Sequence, residues 1–264
     1  MTTTTPTKTI LITGSNRGLG RLLLSSYLQR PNHTVIAAVR NPSHPTSQSL
    51  SSLPVHPSGT TRLVIVKLDL NVRTDPAAAV KELAEKHGIN TVDVVIANAS
   101  TGYIWPKVRE AEVDDIRAHM ETNVFGFVEL VKGLLPVLER TAAKKGEGED
   151  KEEVVWVTIG SGGGWLNNPA AAAVPNAAYG VTKAAQHYLT RKLHDEEPWL
   201  TSFSIDPGWV RTDMGNAGAR VLGLEEAYGD PEESAKGMLK VFDAATRETH
   251  SGKMWTAEGE TVLF

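Results

Sequence analysis

Along the chain, short unbroken apolar runs alternate with longer stretches in which apolar side chains recur every three or four positions. The runs "KTILI" (8–12), "HTVIAAVR" (33–40), "TRLVIVKLDL" (61–70), "VDVVIANA" (92–99), "VVWVTIG" (154–160) and "LTSFSIDPG" (200–208) predict six strands. They lack the apolar–polar alternation of a half-exposed sheet and read as strands covered on both faces, as in a parallel sheet. Between the first two, "LGRLLLSSYLQR" sets Leu19, Leu22, Leu23 and Tyr27 on one helical face. Further helices are predicted over 75–88, 110–140 (as one or two), 177–196 and 230–245. The first of these starts from an Asp75 cap, has Pro76 in its first turn and stops at Gly88. This alternation predicts one α/β domain, a doubly wound parallel sheet of the Rossmann type flanked by helices.

The connections read by composition. Residues 41–60, rich in Pro and Ser, predict a long surface loop, and "KKGEGEDKEE" (144–153) a solvated charged one. The Thr-rich residues 1–6 are expected to be a disordered tail ahead of a single domain spanning 7–264.

At 264 residues, 41% hydrophobic and 22% charged, the chain can bury a large core. Its formal charge of −4 argues against general nucleic-acid binding. The absence of cysteine excludes disulfides, thiolate metal sites and cysteine nucleophiles. Eight histidines are scattered without ligand spacing, so no metal is expected. The opening "MTTTTPTK" lacks the apolar core of a signal peptide, and no apolar run approaches the length of a membrane span. A soluble cytoplasmic protein acting on a small molecule is the expectation.

The chemistry begins with "TGSNRGLG" (13–20), between the first strand and the first helix. Gly14, Gly18 and Gly20 serve a tight turn, and they also let backbone N–H groups at a helix N-terminus approach a pyrophosphate. After the second strand stands Arg40, with no carboxylate nearby, and Arg17 lies in the glycine turn. Arginine accommodates the 2′-phosphate of NADP, so NADPH is the expected cofactor.

"YGVTK" (179–183) places a phenol and an ammonium four residues apart, on one helical face. A nearby cation favours phenolate, so Lys183 is expected to lower the pKa of Tyr179 and fit it to donate a proton to a carbonyl. Ser161, in the "GSGGG" turn after the fifth strand, is placed to hydrogen-bond that carbonyl. Asn123 sits in a helix interior, where asparagine has poor propensity. Holding a water beside Lys183 and a buried structural role both account for it.

Together these residues resemble the short-chain dehydrogenase/reductase family along nearly the whole chain. The matching pieces are Thr13 to Gly20, Asp69-Leu70, Asn98-Ala99, Asn123, Ser161, Tyr179 with Lys183, and Pro207-Gly208 with Thr212. The resemblance implies a catalytic tetrad of Asn123, Ser161, Tyr179 and Lys183. It implies cofactor binding by Gly14, Asn16, Arg17, Gly18, Leu19, Gly20, Arg40 and Leu70. Asp69 is implied at the adenine, Asn98 at the central strand, and Tyr179 and Lys183 at the ribose. Pro207, Gly208, Val210 and Thr212 are implied at the far end, with Thr212 on the carboxamide. Members often assemble as dimers or tetramers. More narrowly, "HGINTVDVVIANA", "AHMETNVFG" and "LTSFSIDPGWVRTDMGNAGAR" look like the fungal norsolorinic acid ketoreductases, within a branch similar to small NADPH-using carbonyl reductases.

Two departures stand out. Ser100 follows Asn98-Ala99 where the family carries glycine, and the gap from Ser161 to Tyr179 is longer than usual. The longer gap leaves open whether Ser161 serves catalysis or whether its segment, with Trp165, instead shapes the substrate pocket. Residues 213–230, with four glycines, are expected to be a mobile cover over the substrate. Trp105, Trp165, Trp209 and Tyr103 are candidate walls for an aromatic substrate. The expectation is an NADPH-dependent ketoreductase acting on an aromatic or polyketide-type metabolite. The same residues also suit alcohol oxidation, imine reduction, a redox-neutral isomerisation, or a dinucleotide-sensing protein without turnover.

Overall fold

The computed structural model of the chain describes residues 7–145, 153–167 and 174–263. The tail at 1–6 therefore lies outside the described residues. In chain order the elements are β1 (Lys8–Thr13), α1 (Gly18–Leu28), β2 (His33–Val39), α2 (Pro45–Gln48), β3 (Arg62–Lys67), α3 (Asp75–His87) and β4 (Val94–Ala97). They continue with α4 (Val113–Met120), α5 (Gly126–Lys145), β5 (Val155–Ile159), α6 (Tyr179–Glu196), β6 (Thr201–Asp206), α7 (Asp213–Val221), α8 (Pro231–Asp243), α9 (Arg247–His250), β7 (Met254–Thr256) and β8 (Thr261–Val262).

The strands form one sheet in the order β3-β2-β1-β4-β5-β6-β7-β8, parallel except for the last pair. Alternate residues of each strand feed two apolar layers. Ile10, Ile12, Val94, Ile96, Val155 and Val157 pack with Leu23, Leu24 and Tyr27 of α1 and Met238 and Phe242 of α8. Leu11, Val95 and Trp156 pack on the other face with Leu83 of α3, Phe127, Leu130 and Leu134 of α5, and Leu193 of α6. Burial on both faces explains the unbroken apolar runs. The strand order reverses between β1 and β4, and the crevice at their carboxyl ends is where such sheets bind ligands.

Several connections differ from expectation. Residues 41–60 are not all loop: α2 and a 3₁₀ turn at Ser49–Ser52 interrupt them, because Leu50 drops fully into the α1 layer. Asp75 does not cap its helix. Thr74 holds that position, and the Asp75 carboxylate accepts the Asp69 N–H (3.0 Å) and pairs with Lys67. Residues 146–152 of the charged stretch lie outside the described residues; of its described ends Lys144 is exposed, whereas Lys145 and Glu153 are half-buried. Lys145 pairs with Asp93 at 2.7 Å in a largely buried contact, and Glu153 accepts from Thr201 and from the Arg247 N–H. The strands β7 and β8, with three and two residues, are too short to show periodicity and were not foreseen. Among the described residues no helix is long and apolar enough to cross a membrane.

Candidate active site

β1 ends at Thr13, whose hydroxyl accepts the N–H groups of Asn98 (3.0 Å) and Ala99 (2.9 Å). Asn98 Nδ2 returns bonds to the carbonyls of Thr13 (2.9 Å) and Gly14 (3.2 Å), so the glycine turn and the end of β4 are locked together. Gly18 adopts φ +53°, which a side chain disfavours, and a methyl on Gly20 would stand 2.6 Å from the Gly14 carbonyl oxygen. The first turn of α1 has neither a side-chain cap nor an acidic residue. Its free N–H groups and positive end are what an anion such as a pyrophosphate uses.

The other residues of this region are placed as follows. Thr212 flanks the turn, its methyl carbon 3.6 Å from where a Gly18 Cβ would lie, while its hydroxyl accepts the Gly215 N–H (3.1 Å) and caps α7. Arg17 is exposed and 4.0 Å from Asp213, and Arg40 is exposed just past β2. Asn16 Nδ2 bonds Thr46 at 2.6 Å, drawing α2 against the turn. Leu19 packs on the core, and Leu70 and Val210 are buried in it. Asp69, half-buried, accepts the Asn71 N–H at 3.0 Å. The Pro207 carbonyl accepts from Ser234 (2.7 Å), leaving Gly208 exposed beside it. A capless helix start, a Cβ-free turn and two exposed guanidinium groups fit a phosphate-bearing dinucleotide.

β5 ends at Ile159, and the chain turns through Ser161 into a 3₁₀ turn at Gly162–Gly164. The Ser161 hydroxyl accepts the Gly163 N–H at 3.1 Å. The glycines allow this turn to press on α6: a methyl on Gly164 would lie 2.7 Å from the Ala184 nitrogen. Asn176 clamps the contact by donating to the Gly163 carbonyl (3.1 Å) and accepting the Gly180 N–H (3.0 Å). The long gap therefore does not separate the pair: the Ser161 hydroxyl lies close enough to the Tyr179 phenol to pull its pKa down, against the larger effect of burial. Residues 168–173 of that gap lie outside the described residues. Trp165 is partly buried, and its indole N–H is buried without a partner among the described residues.

Lys183 is 2% exposed, donates to the Ile159 carbonyl at 2.8 Å, and lies 5.7 Å from the Tyr179 ring centre. The expected electrostatics need correction. Burial pushes the Tyr179 phenol well above its ordinary range, against the Ser161 hydrogen bond. Burial also pulls Lys183 down to about 7, with the Asp206 carboxylate opposing. Desolvation penalises every charged form in the cleft, so Tyr179 is held as the protonated acid and is not eased toward phenolate.

Asn123 has a structural task. It lies in a π-helical turn (Glu121–Phe125) between α4 and α5 and is fully buried. Its Oδ1 accepts from Ser100 (3.0 Å) and Thr101 (2.8 Å), and its Nδ2 donates to Thr101 (2.8 Å) and Thr182 (2.9 Å). The side chain is saturated, so a water beside Lys183 would need another partner. Ser100, the departure from glycine, is absorbed by this network.

Three residues around the phenol escaped sequence reasoning. His187 accepts the Ser161 N–H through Nε2 (3.3 Å), and burial beside Lys183 lowers it to about 3. Its position one turn after Lys183 was the available signal. Asp206 hid in a turn-like Asp-Pro-Gly, and Asn176 in an irregular stretch. Over the cleft, a Gly102 Cβ would lie 3.0 Å from the Tyr179 ring and 3.2 Å from the Met214 sulfur, and one on Gly218 would face Trp105 and Trp209. Tyr103, 53% exposed, stacks on His119 at 4.3 Å. Trp209 meets Tyr228 edge-on at 5.2 Å. Residues 213–230 thus open with a helix capped by Thr212, whose Met214 lies beside Gly102 next to the Tyr179 ring.

The profile of the short chain dehydrogenase family matches residues 8–220. A norsolorinic acid ketoreductase of Dothistroma septosporum is 41% identical over 256 residues, covering 97% of this chain and 91% of the relative. One from Aspergillus parasiticus is 38% identical, covering 94% and 88%. Among solved structures, the NADPH-bound carbonyl reductase from chicken fatty liver superposes with a TM-score of 0.82 at 25% identity, over 98% of this chain and all of that one.

Proposed function

The chain belongs to the short-chain dehydrogenase family, and from that premise we propose that it is an NADPH-dependent ketoreductase acting on an aromatic, polyketide-type ketone. The observation that carries the reading is the buried Lys183 ammonium, held on the Ile159 carbonyl (2.8 Å) and 5.7 Å from the Tyr179 ring centre, where the chain turns through Ser161. The relatives named above are ketone and carbonyl reductases, which supports the same reaction class.

When bound, the reduced nicotinamide supplies the hydride for the carbonyl carbon. The chain's residues do the rest. Ser161 acts on the Tyr179 phenol from the neighbouring turn, so a carbonyl oxygen between them can accept from both hydroxyls. Tyr179, kept protonated by burial, transfers its phenolic proton to that oxygen as charge develops. Lys183, when charged, stabilises the phenolate left behind. Trp105, Trp209 and Tyr103 offer flat walls to the substrate, and Met214 and Gly218 of α7 cover it. Arg17 and Arg40 supply the cations for a 2′-phosphate.

NADPH oxidation with a panel of aryl ketones, such as acetophenone and 2-acetylnaphthalene, tests the reading. Tyr179→Phe is expected to abolish turnover while leaving NADPH affinity within about twofold; retained activity removes Tyr179 as the acid. Comparable kcat/KM with NADH and NADPH would overturn the cofactor preference.

A further inference from the structure

The mechanism above leaves one buried charge unused. Asp206 ends β6 beside the strand that carries the lysine's partner: Ile205 pairs with Ile159, whose carbonyl accepts the Lys183 ammonium. Its Oδ1 accepts the Gly208 N–H at 3.0 Å, closing the Asp-Pro-Gly turn. The Gly162 N–H, in the turn that carries Ser161, lies close enough to that carboxylate to lower its pKa. One side chain therefore stands between the end of β6 and the Ser161 turn, one residue beyond the Ile205–Ile159 pair whose carbonyl holds the amine.

We propose that Asp206 is a positioning residue of the reaction, whose carboxylate fastens the Ser161 turn and is the counter-ion that keeps the Lys183 ammonium charged in the cleft. The inference rests on the ketoreductase reading. The titratable groups around the amine are Tyr179 and His187 on α6 and Asp206 on β6, with Glu258 acting on Asp206 from the β7–β8 turn. His187 is neutral at working pH and Tyr179 is protonated, so neither balances the ammonium. Among the described residues Asp206 is the carboxylate that acts on the amine; burial raises it, and the Gly208 and Gly162 N–H groups and Lys183 oppose that rise.

Turn-building alone is the competing account, because an Asp before Pro-Gly commonly caps the turn with its side chain. Asparagine performs that task equally well but carries no charge, so Asp206→Asn separates the two. The limb of the kcat/KM profile along which reduction falls with rising pH is expected to move about one unit toward acid, as loss of a neighbouring charge implies. Activity at pH 8 then drops about tenfold, against about twofold at pH 6. An active variant with an unmoved limb overturns the proposal, whereas a wild-type protein inactive on every ketone at every pH overturns the functional reading instead.

The melting temperature of the protein without substrate gives a readout independent of turnover. At neutral pH the effects of Asp206→Asn and Lys183→Met on melting temperature should be non-additive, and additive effects would count against the pairing. Should Asp206→Asn fail to fold, Asp206→Ser keeps a capping oxygen without charge and takes its place.

Discussion

The amine of Lys183 is held where water cannot reach it, at about 7 instead of the ordinary 10.5. Reduction uses its charged form, so kcat/KM should fall as pH rises through about 7, measured under limiting ketone and saturating NADPH. The same shift makes the residue a burden on stability. Its folded pKa lies below its unfolded one, so folding is opposed fully below about 7 and the opposition fades as pH rises toward 10.5. Lys183→Met is therefore expected to melt higher at neutral pH while losing turnover. A variant that melts lower would show the ammonium to be well compensated.

Among the elements, the contact between the Gly162–Gly164 turn and α6 positions the reacting groups. A methyl on Gly180 would lie 2.7 Å from the Gly163 carbonyl oxygen. Gly180→Ala should push the turn away from the helix, costing about 1–3 kcal/mol as overpacking does. It should also lower kcat more than it alters NADPH affinity, which a denaturant melt and steady-state kinetics read together. The segment from α7 to Gly229 is held by Thr212 at its start and by an isolated bridge from Val210 to Gly229 at its end. We expect it to move as a cover hinged at those points. NADPH should slow proteolysis within 213–230, and unchanged cleavage would remove the cover from the mechanism.

Over the whole molecule, acid should act through His187. Its folded pKa, about 3, lies below the ordinary 6.5 because burial and Lys183 disfavour its charge. The unfolded chain takes up that proton first. Stability is thus intact above 6.5 and is lost progressively as pH falls toward 3. His187→Gln, which keeps an acceptor for the Ser161 N–H, should flatten this part of the melting-temperature profile. An unchanged slope would assign acid sensitivity elsewhere.

The strand–helix alternation, the glycine turn and the Tyr179–Lys183 spacing were legible because each is written in neighbouring residues with a fixed period. Burial on both faces forces unbroken apolar runs, and one helical turn brings positions four apart together. Other features depend on residues distant in sequence meeting in space. Asn123 is saturated by Ser100, Thr101 and Thr182, Lys145 is matched to Asp93, and Lys183 reaches the Ile159 carbonyl on β5, the strand beside the one that ends at Asp206. The sign of the Tyr179 shift also belongs to the folded state. Spacing announces a cation nearby, but how much water is excluded from both groups is decided only when β5, β6 and α6 close around them.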